Sequence, residues 1–202
     1  TGRQHYYEYT LKGEVVETWH PRFSYYGFRY IQVEGAVLKG QKNTLHLPVI
    51  QKIQSCFVYN SAPKVSTFQC SNRIFNEAHR LIEKAVRSNM QSVFTDCPHR
   101  EKLGWLEQDH LCGPGLLYNY DLTGFLPQTL QNIADAQHAN GAVPTTAPEY
   151  VVFEGPGMDA FAESPEWGCT FVVLPFMYYE TYGDDSLIRK YYNGMRRYID
   201  YM

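Results

Sequence analysis

The hydrophobic pattern of this chain changes period between residues 60 and 70, and that change constrains the fold more than any other feature. Residues 1–60 are rich in aromatic and β-branched residues, and Gly or Pro separates the runs, as at Lys12-Gly13 between 6–11 and 14–19. Runs of this kind are typical of antiparallel strands. We therefore predict a mixed fold whose first part, residues 1–62, is a portion of an antiparallel β-sandwich.

Beyond residue 70 the apolar residues follow the three-and-four spacing of helices that bury one face. The first helix is predicted from about Ser71 to Met90, with Ser71 or Asn72 as its N-cap. Further helical stretches are predicted over about 105–118, 124–138 and 169–182, and from 185 or 186 to the last residue. Residues 141–168 are rich in Pro and Gly and form a predicted functional loop. The second part, residues 63–202, is thus predicted to be all-α.

Both ends of the chain have the character of internal positions in a larger protein. The first residue is Thr, and the last helical pattern reaches Met202 without a Gly, Asn or Pro stop signal. We expect a fragment that joins the end of a β domain to the first helices of an all-α domain. Such an unfinished domain would expose apolar helix faces, which favours aggregation or a homo-oligomer.

Charge and motif content exclude several classes of function. The formal net charge is −3 and no run of Lys or Arg is present, so neither a nucleic-acid nor an anionic-membrane partner is predicted. No apolar stretch approaches the roughly 20 residues that span a bilayer. Five cysteines without a CxxC pair argue against a disulfide framework. HExxH, calcium-loop and phosphate-loop motifs are lacking, so neither a metal nor a cofactor is predicted.

Residues 95–109 concentrate the chemically informative side chains. The carboxylates Asp96, Glu101, Glu107 and Asp109 lie within a few residues of an Arg, a His and Trp105. Cleavage of a glycosidic bond needs one carboxyl to protonate the leaving oxygen, others to bind hydroxyls, and an indole to pack on the sugar ring. We therefore predict a carbohydrate site here.

Structural alternatives remain open for each of these residues. Glu101 could be a helix N-terminal Glu that the helix dipole favours, and Asp96 could be a cap ahead of Pro98. Trp105 could belong to the core, whereas Glu107 and Asp109 are expected at a partly solvated surface. A second acidic and aromatic cluster, residues 163–168, contributes Glu166 and Trp167 as further candidate substrate contacts.

The segment Asp96-Cys97-Pro98-His99-Arg100-Glu101-Lys102-Leu103-Gly104-Trp105 resembles the signature of glycoside hydrolase family 78, the α-L-rhamnosidases, with one residue fewer between Arg and Leu. Residues 28–35, 167–168 and 182–184 are also similar to segments of that family. The resemblance implies that 63–202 are the N-terminal part of an (α/α)6 six-hairpin barrel. It also implies hydrolysis of terminal α-L-rhamnosides, with inversion, from plant-type glycans such as pectic side chains or glycosides.

By position in the signature, Glu101 is implied as the general acid. Substrate contacts are implied or predicted for Asp96, Arg100, Trp105, Gln108, Trp167 and Glu166. Gln108 stands where many members carry Asp, so a six-hairpin glycosidase of different sugar specificity is one alternative. A non-catalytic carbohydrate-binding relative is another. The family's general base lies far C-terminal to the acid, so we expect these 202 residues alone to be inactive. A periplasmic or secreted location is favoured over a cytoplasmic one.

Overall fold

The computed structural model describes residues 6–158 and 161–202, which form two compact units. The first unit runs over Thr1–Val58 and the second over Tyr59–Met202. Residues 1–5 of the predicted sandwich portion and residues 159–160 of the predicted loop lie outside the described residues.

The described residues of the first unit contain one small sheet, and the predicted portion of an antiparallel sandwich is not confirmed. Strands β1 (Val37–Leu38) and β2 (Val49–Ile50) pair in parallel, with Val37 opposite Val49 and Leu38 opposite Ile50. None of residues 6–58 is buried. The aromatic and β-branched runs are therefore present without a covering layer. A sandwich needs several strands and a second apolar face, which these residues do not supply among themselves.

The predicted turn at Lys12-Gly13 is organised by a single carboxylate. Glu17 accepts hydrogen bonds from the Tyr9 hydroxyl at 2.7 Å and from the backbone N–H groups of Lys12, Gly13 and Glu14 at 2.9–3.1 Å. Gly13 has φ of +90°, which only Gly adopts freely. These bonds, that from Tyr9 first, lower the pKa of Glu17 to about 2.

The second unit is helical. Its seven helices in the described residues are α1 (Arg73–Asn89), α2 (Glu107–Leu111), α3 (Gly113–Asn119), α4 (Leu126–Ala136), α5 (Pro165–Gly168), α6 (Thr170–Tyr182) and α7 (Ser186–Tyr201). Asn72 caps α1 by accepting the N–H of Ile74 at 2.9 Å, and Gly183, with φ of +69°, ends α6. The mostly helical character predicted for residues 63–202 is confirmed.

Helix α6 lies at the centre of the core because it is apolar on most of its surface. It contacts α2, α3, α4, α5 and α7. Phe171 and Leu174 of α6 are fully buried, as are Leu130 and Ile133 of α4 and Leu106 before α2. The helices are thus arranged around one shared core that also supports the acidic segment.

The predicted buried face of α1 is exposed, which corrects that part of the prediction. All of α1 is described and none of its residues is buried; Ile74, for example, is 75% exposed. Only its C-terminal end packs on the core, through Val86 and the following Met90. Periodicity identifies an apolar face but does not say which residues cover it. An ion pair of Lys64 with Glu83 also joins α1 to the segment that precedes it.

In the described part of the chain, no helix is both long and apolar enough to cross a lipid bilayer.

Two helical glycines allow a test of this packing. A Cβ at Gly168 would lie 2.5 Å from the Tyr198 hydroxyl oxygen and 2.8 Å from its buried ring, whereas a Cβ at Gly115 would meet nothing within 4 Å. We expect Gly168→Ala to lower the free energy of unfolding by about 1–3 kcal/mol through overpacking. Gly115→Ala should raise it by roughly 0.5–1 kcal/mol through helix propensity. Urea unfolding of both variants checks this, and equal effects would contradict the packing.

Candidate active site

The acidic segment starts from a point anchored in the core. Phe94 is buried and its ring meets that of Phe125 edge-on, with centroids 4.8 Å apart. The next residue, Thr95, is also buried and donates its backbone N–H to the Asn89 carbonyl at 3.0 Å. The end of α1 and the core therefore fix where the segment begins.

Asp96 and Leu103 close the turn that carries the candidate acid. The Asp96 N–H donates to the Leu103 carbonyl and the Leu103 N–H donates to Asp96 Oδ1, both at 3.2 Å. Lys102 has φ of +58°, which lets the chain reverse before Leu103. Asp96 is half-buried and uses one carboxylate oxygen to hold this turn, which is a structural role different from the predicted cap ahead of Pro98.

Glu101 lies in this turn and not at a helix N-terminus, because α2 begins only at Glu107. Its carboxylate is exposed and pairs with Arg100, whose Nη2 is 2.7 Å from Glu101 Oε1. The Glu101 N–H points to the Cys97 sulfur at 3.3 Å. The structure thus brings Arg100 and Glu101 together at a solvent-accessible position.

Residues 104–106 pair with residues 145–147 in an antiparallel arrangement. Ala147 donates its N–H to Gly104, and Leu106 donates to Thr145, both at 3.0 Å, with Trp105 opposite Thr146. A Cβ at Gly104 would lie 2.6 Å from the Ala147 carbonyl oxygen, so the backbones approach at a distance that only Gly permits. This pairing fixes Trp105 independently of the turn before it.

Trp105 belongs to a cluster of four aromatic rings, which we call the aromatic cluster: Trp105, Phe153, Phe161 and Trp167. Trp105 stacks on Phe153 with centroids 5.4 Å apart and planes at 29°, and it meets Trp167 at 6.1 Å and 58°. Phe153 in turn meets Phe161 at 6.4 Å. The structure therefore brings the two predicted tryptophans together. Phe153 and Phe161 were missed, and their only signal was aromatic content in a loop rich in Pro and Gly.

Gln108 and Asp109 differ in exposure although they are neighbours on α2. Gln108 is half-buried, whereas Asp109 is only 5% exposed and its Oδ1 has no hydrogen-bond partner among the described residues. Burial raises the pKa of Asp109 to about 8. The prediction that Asp109 belongs to a solvated surface is therefore wrong. The more accessible of the two positions carries an amide rather than a carboxylate.

Glu166 and Trp167 lie in the short helix α5. Glu166 is exposed and accepts the Ser164 hydroxyl at 2.6 Å, a bond that lowers the pKa of Glu166. Trp167 is half-buried and packs against the core as well as against Trp105. The structure thus joins Trp167 to Trp105, whereas no contact joins Glu166 to the acid-bearing turn among the described residues.

Behind Trp105, a hydrogen-bonded chain that the sequence did not indicate joins α2 to α6. The Thr170 hydroxyl donates to the Leu106 carbonyl at 2.8 Å and lies 2.6 Å from His110 Nδ1, which makes Nδ1–H the donor to it. Burial lowers the pKa of His110, against an opposing effect of Glu107. A neutral His110 with its proton on Nδ1 satisfies this arrangement. Residues 6–158 and 161–202 hold no group of three or more His, Cys, Asp or Glu placed to bind a metal.

Two family models match the chain. The bacterial α-L-rhamnosidase six-hairpin glycosidase domain matches residues 63–202, and the bacterial α-L-rhamnosidase concanavalin-like domain matches residues 1–59. An α-L-rhamnosidase of Formosa agariphila is 31% identical over 200 residues, covering 96% of this chain and 20% of that protein. One from Streptomyces avermitilis is 31% identical over 195 residues, covering 96% of this chain and 18% of that protein.

Solved structures of α-L-rhamnosidases are also similar to this chain. Native α-L-rhamnosidase from Aspergillus terreus superimposes with a TM-score of 0.71 at 30% identity, over 95% of this chain and 21% of that one. The Streptomyces avermitilis α-L-rhamnosidase complexed with L-rhamnose gives a TM-score of 0.63 at 28% identity, over 71% of this chain and 13% of that one. The chain spans about a fifth of the length of the curated relatives it matches.

The buried carboxyl of Asp109 gives a testable pH dependence of stability. Its folded pKa of about 8 lies above the ordinary 3.8, so between these values the folded state holds a proton that the unfolded state has released. Stability therefore falls as pH rises from about 4 to 8. We expect Asp109→Asn to remove that fall, which thermal unfolding at several pH values measures. The exposed control Asp200→Asn should show the same dependence of stability on pH as the wild type. If Asp109→Asn also showed that dependence, the burial of the Asp109 carboxyl would be contradicted.

Proposed function

This chain belongs to the bacterial α-L-rhamnosidase family, and from that premise we propose that the protein releases terminal α-L-rhamnose from plant-type glycans with inversion of configuration. The main support is the position of the exposed Glu101 carboxyl in a turn that leads directly into Trp105 and the aromatic cluster. A carboxyl beside an aromatic wall is the arrangement that protonation of a glycosidic oxygen requires.

We propose that Glu101 is the general acid and that Arg100 orients it. The 2.7 Å pair between them fixes the direction of the Glu101 side chain in the absence of substrate. A sugar hydroxyl can compete for the guanidinium, which has five donors in a fixed fork. In this proposal, substrate binding moves Arg100 from the Glu101 carboxyl to the sugar, and the carboxyl is then directed at the leaving oxygen.

Sugar binding is proposed for the remaining candidate residues. Trp105 and Trp167 would pack against the C–H face of the ring, because both are half-buried and in contact with one another. Asp96 holds the turn through Oδ1, and its second carboxylate oxygen is the proposed acceptor from a hydroxyl. Gln108 and Glu166 are proposed contacts on the grounds of accessibility alone.

An inverting mechanism needs a second carboxylate roughly 6.5–9.5 Å from the acid, to activate the attacking water. Since the chain spans about a fifth of its curated relatives, we propose that this general base lies outside residues 1–202. We further propose that residues 1–62 are part of a β-sandwich, which the match of 1–59 to the concanavalin-like domain supports.

The acid assignment is tested by hydrolysis of p-nitrophenyl α-L-rhamnoside with the protein as encoded in full. We expect Glu101→Gln to lower kcat by about 10²–10⁴-fold, the usual contribution of a general acid. Glu107→Gln is the matched control, because it changes a nearby half-buried carboxyl outside the turn. Loss of activity in the control but not in Glu101→Gln would move the acid to Glu107.

A second prediction concerns residues 1–202 in isolation. Without a general base these residues should bind L-rhamnose but should release no rhamnose above the uncatalysed rate. Circular dichroism first establishes that the isolated polypeptide is folded, and the same chromogenic assay then measures turnover. Turnover that Glu101→Gln abolishes in the isolated polypeptide would place the base within this chain.

The amide at the half-buried position of Gln108 favours one alternative function, a six-hairpin glycosidase with another sugar specificity. An amide can bond a hydroxyl but carries no charge, and the carboxylate next to it is buried. In that case a panel of aryl glycosides would reveal turnover of a sugar other than rhamnose. Saturable rhamnose binding by the full protein without turnover of any glycoside would instead indicate a non-catalytic carbohydrate-binding relative.

A further inference from the structure

Both ring nitrogens of His138 face carboxylates that come from opposite ends of one loop. Nε2 lies 3.2 Å from Glu149 Oε2 and Nδ1 lies 3.0 Å from Glu163 Oε1. The two glutamates are 14 residues apart in the chain, and Phe153 and Phe161 lie between them. His138 itself follows α4 and is held by a backbone bond from its N–H to the Ala142 carbonyl at 2.9 Å.

We propose that His138 is a positioning residue that, as an imidazolium ion, closes the base of the 149–163 loop and thereby holds Phe153 against Trp105. A neutral imidazole has one donor and one acceptor nitrogen, so it can bond only one of two carboxylates. The imidazolium bonds both and places a positive charge between two negative ones. Without that charge, two carboxylates would face each other across an unpaired nitrogen.

Closure at this point matters because the loop supplies one side of the aromatic cluster. Phe153 covers one face of the Trp105 indole at 5.4 Å, so only the other face and the edges of Trp105 remain for a sugar. The far end of the loop is also fixed: Thr145 donates its N–H to Ala162 at 3.1 Å and its hydroxyl to Phe161 at 2.5 Å. The ion pairs of His138 also hold Glu149, where the loop begins. Fixing this end lowers the entropy cost of ordering the loop.

Charged and titratable groups from α4 and α7 also lie near His138 or its partners. From α7, Tyr201 donates its hydroxyl to Glu163 Oε2 at 2.5 Å, and Arg197 bonds Gln137, the residue before His138. From α4, Asp135 lines a cavity of about 520 Å³ together with His138 and Glu149, so solvent reaches the ring. Burial alone would lower the pKa of His138, but the hydrogen bonds to Glu149 and Glu163 outweigh it and raise that pKa.

The sign of the pH dependence follows from the raised pKa. The stabilisation by His138 is fully present below its ordinary value of 6.5 and is lost as pH rises through the higher folded-state pKa. Amide hydrogen exchange of Tyr150, Met158 and Phe161, the described loop residues whose N–H groups are hydrogen-bonded within the loop or to its start, measures this between pH 5.5 and 9. We expect the protection factors of the wild type to fall about tenfold to hundredfold over that range, as loss of one charge-assisted hydrogen bond implies.

Matched variants separate this role from a general loss of stability. His138→Gln should give low protection that no longer depends on pH, whereas His79→Gln should behave as the wild type, since the carboxylate that His79 contacts, Glu83, lies on α1 and away from the loop's sequence. If His138→Gln does not fold, Glu149→Gln and Glu163→Gln serve instead, and each should lower the midpoint of the transition. Flat wild-type protection factors, or an equal fall in His138→Gln, would overturn the proposal.

A kinetic test links the loop to the substrate and rests on the proposed function. As pH rises, KM for an α-L-rhamnoside should increase in the wild type and not in His138→Gln, whereas kcat should follow the same pH profile in both proteins. The two proposals fail separately. A wild-type protein that shows pH-dependent protection but cleaves no rhamnoside contradicts the proposed reaction and leaves the role of His138 standing. Cleavage with flat protection contradicts only the role of His138.

Discussion

The antiparallel pairing of residues 104–106 with residues 145–147 is the interaction on which the rest of the site depends. It joins segments about 40 residues apart in the chain, and it does so with backbone hydrogen bonds. Leu106 continues this pairing into the core, and the Thr170 hydroxyl ties its carbonyl to the central helix α6. Thr145, on the other side, bonds residues 161 and 162, so three segments are connected side by side. The aromatic cluster follows from that connection. Trp105 and Phe161 lie in the connected segments, Trp167 lies in α5, and Phe153 stacks on Trp105.

Much of the helical fold could be predicted from the sequence because the signals are local. Asn72 caps α1, Gly183 ends α6, and the predicted stretches 124–138 and 169–182 contain α4 and α6. The Gly113-Pro114-Gly115 sequence forms the first turn of α3, where Pro is favoured, and α2 ends just before it at Leu111. To predict the sandwich for residues 1–62, one would have to know which strands pair, and strand propensity does not give that information.

The site was predicted only as far as its residues are close in sequence. Asp96, Arg100, Glu101 and Trp105 are found together because one turn and one paired segment hold them. Phe153 and His138 were missed because they reach the site through contacts between distant parts of the chain. Asp109 shows the opposite difficulty. Side chains of adjacent helical residues point about 100° apart, so Gln108 is accessible whereas its neighbour Asp109 is buried. The sequence does not show which of the two directions faces the core.

The turn and the paired segment are fixed by separate sets of bonds, so the position of Glu101, the proposed acid, is less constrained than that of the Trp105 indole. Thr95 and the Asp96–Leu103 pair hold the two ends of the turn, whereas residues 104–106 are held from outside it. Residues 97–102 can therefore gain or lose a residue without shifting Trp105. A change in the length of this turn would move the proposed proton donor relative to the proposed sugar platform, and a signature shortened by one residue is what such variation would leave in a sequence.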